Sequence, residues 1–309
     1  MIAKILEEEK YKIAVASTIN FKIAEKEWVN DTKLTTLSIF GLQKHLREAV
    51  RAGCKYAVIE ITSHALDQNR AWGTDFDVAV ITNVTREHLD YHETMEEYAK
   101  AKEKLFAMVS KNKNSVSAVN LNMELAENFL KYEAGEKYGY AVKISNFKFQ
   151  ISNQFKNKNF KKVFAENIEL GIQNTKYQIQ NTNFKINLPG EFNVENALAA
   201  TCVGLSQDIS LEKISAALSK IKGVSGRMER IKNDQGIEII VDYAVTPDSL
   251  EKLYGHMDGI KESDSKIIAV FGSCGERDRG KRPIMGEIVA RHADFAIVTN
   301  EDPYREDPT

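Results

Sequence analysis

Two short runs constrain this chain most. Residues 56–62 (YAVIEIT) and 77–83 (DVAVITN) are apolar and rich in β-branched side chains. Runs of this kind are typical of buried parallel strands, which need helices packed above and below their sheet. Those helices are legible. Residues 38–52 carry apolar side chains at helical spacing before Gly53, a natural stop. Residues 94–109 open with Thr94 and Glu97, the spacing of a capping box. Residues 193–206 and 210–220 also read as helices, and residues 12–18 as a strand.

Two stretches differ. Residues 145–187 are rich in Asn, Lys, Gln and Phe, with polar and apolar residues alternating. The alternation predicts hairpins or an antiparallel sheet; the Asn and Lys load alone would also fit a disordered insert. From Gly226, strands at 237–243, 266–271 and 294–299 alternate with helices opened by Pro247 and Pro283. The expected fold is α/β: a mostly parallel central sheet with helices on both faces, an antiparallel β insert, and a second, incomplete Rossmann-like domain. The expected domains are 1–225 and 226–309, and 309 residues suffice for two cores.

Composition narrows the partners. A net charge of -2 gives no reason to expect nucleic acid or a membrane surface. No apolar run approaches the ~20 residues that span a bilayer. Cys54, Cys202 and Cys274 form no CxxC pair, which points to a reducing compartment. The chain is read as a cytoplasmic monomer acting on small molecules. Residues 1–12 read as the tail of a helix with no N-cap, and the chain stops just after a strand, so both ends read as cut.

Glu60 stands at the carboxyl end of a candidate strand, where open parallel sheets bind ligands. There it is either a metal ligand or a solvated loop charge. His88 and His92, four apart, either share a helix face around a metal or divide into one surface and one core histidine. Glu60 and His88 follow adjacent candidate strands, so convergence on a hard cation such as Mg²⁺ is open. Lys100, Lys102 and Lys104 read as a solvated helix face, and spacing singles out none of them.

Taken together, EITSHALDQNR (60–70), TNVTREHLDYH (82–92) and the helix ending AKEKLF (101–106) resemble the central domain of the Mur ligases. Within them they resemble the MurE-type enzymes, the UDP-N-acetylmuramoyl-tripeptide synthetases. Further stretches agree in order: KLTT (33–36), LPGEFNVENALAA (188–200), then GRMER (226–230), VDYA (241–244) and GSCGERDRGKRP (272–283). The resemblance implies an ATP-dependent ligase of peptidoglycan precursor synthesis, using ATP and Mg²⁺ on a UDP-muramoyl dipeptide and an incoming amino acid. It implies Glu60, His88 and Lys102, the last as a carbamate, as catalytic magnesium ligands. Thr35, Thr36, Thr62, Gln68 and Arg70 would hold the precursor. Asn83, Asn193, Asn196, Arg227 and Asp242 would lie around the nucleotide. Arg277, Glu301, Asp302, Pro303 and Tyr304 would face the amino acid.

The sequence also departs from that pattern. The glycine-rich loop ending in GKT or GKS, which cradles phosphates in such ligases, is missing, so the expected ATPase domain lacks its P-loop. By itself the chain is expected to be inactive. Gly275 to Lys281 has GxxxxGK spacing, but Arg282 replaces the Ser/Thr, and the carboxyl-terminal motif accounts for it. Leu37 and Val245 stand where proline and histidine are common. Tyr304 occupies the arginine position of a DNPR motif that selects meso-diaminopimelate, leaving that residue or L-lysine as the amino acid added. A folylpolyglutamate synthase-like ligase and a non-catalytic precursor-binding protein are the alternatives.

Overall fold

The computed structural model describes residues 1–32, 34–142, 159–171, 173–262 and 264–307. The chain divides into two compact units, Met1–Asn83 with Ala99–Ser225 and Val84–Tyr98 with Gly226–Thr309. Val84–Tyr98, within the first 225 residues by sequence, thus groups with the second unit.

The first unit opens with α1 (Ile2–Glu8), which buries Ile5 and Leu6. Then come β1 (Ile13–Ala16) and a hairpin of β2 (Asn20–Ile23) and β3 (Lys26–Val29), for which the sequence gives no strong pattern. Next are α2 (Ile39–Arg51), β4 (Tyr56–Ile59), α3 (Ser63–Asp67) and β5 (Val78–Ile81). Ser38 caps α2 by accepting from Gly41 N at 3.2 Å. In chain order, α4 (Leu89–His92) belongs to the second unit, and α5 (Met95–Val109) runs from that segment into the first. The remainder is β6 (Val116–Asn120), α6 (Ala126–Leu130), β7 (Glu136–Val142), β8 (Phe160–Leu170), β9 (Thr175–Ile179), β10 (Thr182–Ile186), α7 (Glu191–Ser206) and α8 (Leu211–Ser219).

Strand pairing corrects one expectation. The described strands of this unit form two sheets, β3-β2-β1-β4 and β10-β9-β8-β7-β6-β5. β1 and β4 are parallel, as are β5 through β8, so the parallel character holds. β4 and β5, expected as neighbours, lie in different sheets. Apolar runs identify a strand but carry no information about its partner, and β4 is less covered than its run implies, with Ala57 exposed and none of its four residues buried. Alternation in the polar insert marks β9 and β10 correctly as an antiparallel pair, while β8 pairs parallel with β7 and antiparallel with β9. Residues 145–158 lie outside the described residues.

α7 explains how the core closes. Small side chains at Ala197, Ala199, Ala200 and Gly204 let this helix approach its neighbours closely, and Val194, Leu198, Cys202 and Val203 complete a surface that is buried nearly all round. Tyr140 Oη donates to Ile81 O at 2.8 Å inside this core.

In the second unit, β11 (Glu229–Ile231) and β12 (Ile239–Val241) form an antiparallel pair, and β13 (Ile268–Phe271) and β14 (Phe295–Val298) a parallel one. α9 (Pro247–Ile260) starts at its proline behind a Thr246–Ser249 capping box. α10 (Lys281–His292) starts two residues before Pro283, because a proline in the first turn forfeits no helical hydrogen bond. Leu250, Tyr254, Ala269, Met285, Ile288 and Val289 form the core. Among the described residues no helix is long and apolar enough to cross a membrane.

Candidate functional site

A polar constellation of the first unit grows from the carboxyl ends of β1 and β4. These strands are parallel neighbours, so the residues just beyond them meet. Thr18 donates twice to Glu60 Oε2, from its backbone N–H at 2.8 Å and from Oγ1 at 2.9 Å. Glu60 Oε1 accepts no hydrogen bond among the described residues. A hydroxyl has one proton, and that of Thr18 goes to Glu60. In the 3.0 Å contact between Thr18 Oγ1 and Thr35 Oγ1, Thr35 is therefore the donor.

Thr36, 2% exposed, ties the same strand end through the main chain. Its hydroxyl donates to Glu60 O at 3.0 Å and accepts from Thr62 N at 2.9 Å. Thr62 caps α3 by accepting from Ala65 N at 3.1 Å. Arg70 Nη1 donates to Thr36 O at 3.2 Å, and its Nε and Nη2 donate to Gln68 Oε1 at 2.8 and 2.5 Å. The structure thus brings Thr35, Thr36, Glu60, Thr62, Gln68 and Arg70 into one hydrogen-bonded cluster. Thr18 is a member that motif reading misses. The available signal was its place at the end of strand 12–18, the same edge of a parallel sheet as Glu60.

This donor set fits magnesium. Glu60 offers a hard carboxylate oxygen, Oε1, with no hydrogen-bond partner among the described residues, beside neutral hydroxyls. Among the described residues no three or more His, Cys, Asp or Glu side chains gather as a metal site. Magnesium does not need such a cage, since one or two carboxylates plus water and substrate phosphates commonly suffice.

Lys102 lies half-buried on α5, between buried Ala101 and Glu103. Lys104 forms an ion pair with Asp67 Oδ1 at 2.7 Å. His88 belongs to the second unit and Glu60 and Lys102 to the first. The two histidines divide: His92 is buried against Tyr91 and Tyr98, with ring centroids 4.8 and 5.4 Å apart, whereas His88 is one-third exposed and caps the four-residue α4 in a left-handed conformation, φ 58°. They do not present one helical face.

Of the residues assigned to the nucleotide, Asn193 Nδ2 donates to Pro189 O at 2.7 Å and Asn196 Nδ2 to Asn193 Oδ1 at 3.5 Å, both near the start of α7. Asn83 is exposed just past β5. In the second unit, Asp242 Oδ2 accepts from Met228 N at 2.7 Å, and burial pushes its carboxyl above the usual range against the opposing pull of that bond and of Arg227. Arg227 lies over the Tyr243 ring, 4.8 Å from its centroid, and donates to Tyr243 O at 3.3 Å.

The carboxyl ends of β13 and β14 carry the remaining assigned residues. A pocket of about 290 Å³ opens there, lined in part by Ser273, Arg282, Glu301 and Pro303. Glu301 bridges to Cys274, and Gly275 N donates to Asp302 O at 3.1 Å. Asp302 and Tyr304 take left-handed φ values of 37° and 53°, a sharp path for non-glycine residues. Glu306 anchors the segment, accepting from Arg282 Nη1 at 2.8 Å, Arg279 Nε at 3.1 Å and Glu276 N at 2.7 Å. Arg277 is exposed on the loop after β13 and is not part of the pocket lining. Lys281 donates to Val245 O at 2.8 Å, an internal use that agrees with reading Gly275 to Lys281 as something other than a phosphate loop.

Residues 1–204 match the model of the Mur ligase middle domain, and residues 226–309 that of the Mur ligase, glutamate ligase domain. The chain is 40% identical over 306 residues to a UDP-N-acetylmuramyl-tripeptide synthetase of Roseiflexus sp. (strain RS-1), covering 94% of this chain and 57% of that protein. It is 35% identical to a UDP-N-acetylmuramoyl-L-alanyl-D-glutamate--2,6-diaminopimelate ligase of Caldanaerobacter subterraneus subsp. tengcongensis, covering 100% of this chain and 60% of that one. The chain therefore spans about three fifths of the length of these curated relatives. A solved UDP-N-acetylmuramoyl-L-alanyl-D-glutamate--2,6-diaminopimelate ligase superposes with a TM-score of 0.66 at 29% identity, covering 99% of this chain and 60% of the other. An FPGS–AMPPCP–folate complex superposes with a TM-score of 0.68 at 13% identity, covering 96% of this chain and 75% of the other, a likeness of fold alone.

Proposed function

This chain belongs to the Mur ligase family, and from that premise we propose that it carries the cation- and precursor-binding part of an ATP-dependent amide ligase of peptidoglycan synthesis. The ligase adds a diamino acid, meso-diaminopimelate or L-lysine, to UDP-N-acetylmuramoyl-L-alanyl-D-glutamate. The observation that carries this reading is the convergence of Thr35, Thr36, Glu60, Thr62, Gln68 and Arg70 on one strand edge.

The chemistry has two steps. A carboxylate oxygen of the precursor attacks the γ-phosphorus of ATP, releasing ADP and leaving an acyl phosphate. The amine of the incoming amino acid then displaces inorganic phosphate, forming the amide and losing a proton. Both steps bring anions together, so positioning and charge neutralisation dominate. Bound magnesium would supply that neutralisation at the phosphates. Glu60 and Lys102, the latter as its carbamate, are the first unit's proposed ligands for it.

Arg70 is pre-set for an anionic group of the precursor. A guanidinium has five N–H donors; three are spent on Gln68 and Thr36, which fix its plane and leave the others for a ligand. The Thr62 hydroxyl accepts from Ala65 N, and among the described residues its own proton has no acceptor, which suits it to donate to the precursor. In the second unit, Arg227 and Asp242 are proposed to meet the nucleotide, and Arg277 with Glu301 to Tyr304 the amino acid.

Calorimetric titration of the chain with UDP-N-acetylmuramoyl-L-alanyl-D-glutamate, and separately with folate, tests this reading. The muramoyl dipeptide should bind, and Arg70→Ala should abolish binding. Binding of folate in its place would favour the folate-ligase alternative and overturn the reading.

A further inference from the structure

We propose that Thr18 is a positioning residue for Glu60, holding one carboxylate oxygen so that the other is presented to a divalent cation, and linking that carboxylate to the precursor-side threonines. The inference rests on the reading of Glu60 as a magnesium ligand and extends it to a residue that no motif assigns.

The hydrogen bonds carry the case. Both donors of Thr18 end on the same atom, Glu60 Oε2, at 2.8 and 2.9 Å. Two donors on one oxygen restrict rotation of the carboxylate far more than one would. Oε1 then has no hydrogen-bond partner among the described residues. The outer partner of a metal-bound carboxylate commonly acts in this way, orienting the ligand without touching the metal.

The proton order adds a direction. Thr35 donates to Thr18, and Thr18 donates to Glu60, a chain of hydroxyls polarised toward the carboxylate. The neighbouring Thr36 holds the main-chain oxygen of the same glutamate. Segment 35–36 therefore grips Glu60 at two places, its carbonyl directly and its carboxylate through Thr18. A precursor that engages Thr35 acts on the same chain of bonds that sets the cation's ligand.

Manganese, a paramagnetic substitute for magnesium, provides the readout. Mn²⁺ is titrated by electron paramagnetic resonance into the full 309-residue chain and into Thr18→Val, Thr18→Ala, Thr18→Ser and Glu60→Gln variants. Fluorescence of Trp28 and Trp72, both in the first unit, verifies folding. Thr18→Val should weaken Mn²⁺ binding about tenfold or more, the usual cost of losing an outer-shell partner. Thr18→Ser should retain it, and Glu60→Gln should abolish it. A merely structural role would lower the unfolding midpoint without changing Mn²⁺ affinity. If Thr18→Val does not fold, Thr18→Ala gives the same comparison. Wild-type affinity in folded Thr18→Val or Thr18→Ala, with Glu60→Gln still defective, overturns the role of Thr18 and leaves Glu60 in place. Absence of binding to the wild type, or unchanged binding by Glu60→Gln, overturns the reading of Glu60 and the inference with it.

Discussion

Replacing Gly275 with alanine should unfasten the segment proposed to face the amino acid. A Cβ built on Gly275 stands 2.0 Å from Pro303 O, 2.6 Å from its C and 3.1 Å from its Cα. All three are backbone atoms, so no side-chain rotation relieves the clash. Ordinary contact begins at 3.4 Å, and the shortfall of 3.4 − 2.0 = 1.4 Å must come from withdrawal of the 301–304 segment or tilting of the loop. Withdrawal by that amount breaks the 3.1 Å bond from Gly275 N to Asp302 O. Overpacking of this kind costs about 1–3 kcal/mol and the lost bond about 0.5–1.5 kcal/mol, together roughly 2–4 kcal/mol. Gly255 is the matched control. It is exposed on α9 with nothing within 4 Å of its built Cβ, so Gly255→Ala should stabilise the same unit by about 0.5–1 kcal/mol. Hydrogen exchange followed by mass spectrometry resolves both changes in second-unit peptides, with first-unit peptides as internal reference. Unchanged protection of residues 299–307 in Gly275→Ala would refute the reasoning.

Other outcomes follow from single contacts. Arg282, with help from Glu276 N and Arg279, holds the Glu306 carboxyl at about 2, below its ordinary 4.5. A depressed carboxylate contributes stability above its unfolded value and loses it as the pH falls toward the folded one. Exchange protection of the 299–307 peptides, corrected for intrinsic rates, should therefore decline between pH 4.5 and about 2, and Glu306→Gln should remove that dependence; a flat profile in the wild type would contradict it. Tyr140→Phe deletes the buried bond to Ile81 O and should cost about 1 kcal/mol, read as a lower urea midpoint in tryptophan fluorescence; an unchanged midpoint would show that the bond contributes nothing net.

Much of this fold was legible because the signals are local. Thr94 and Pro247 mark where helices begin, and the β-branched runs at 56–62 and 77–83 mark strands, although β4 is only partly covered, with none of its four residues buried. Pairing was not legible, because the partner of a strand is set by residues distant in sequence, as the placement of β4 and β5 in different sheets illustrates. The hairpin of β2 and β3 escaped for a different reason: its strands have four residues each and mixed burial, too short for a period to register. In the candidate site, the threonines, Glu60 and Arg70 were found through ordered motifs. Thr18 was not, since a hydroxyl that bonds a carboxylate 42 positions away leaves no spacing pattern. The lysine row shows the converse. Lys100, Lys102 and Lys104 look alike in sequence, and burial tells them apart: Lys102 is half-buried, whereas Lys100 and Lys104 are exposed.

Product analysis bears hardest on the proposed function. The chain, expressed within its full reading frame, is supplied with UDP-N-acetylmuramoyl-L-alanyl-D-glutamate, ATP, Mg²⁺ and either L-lysine or meso-diaminopimelate, and the muramoyl peptide is weighed by mass spectrometry while phosphate is counted. A Mur-type ligase forms one amide for each phosphate released, and Glu60→Gln and Arg70→Ala should each abolish both. Phosphate release indifferent to the muramoyl dipeptide, or an amide formed on folate in its place, would contradict the assignment.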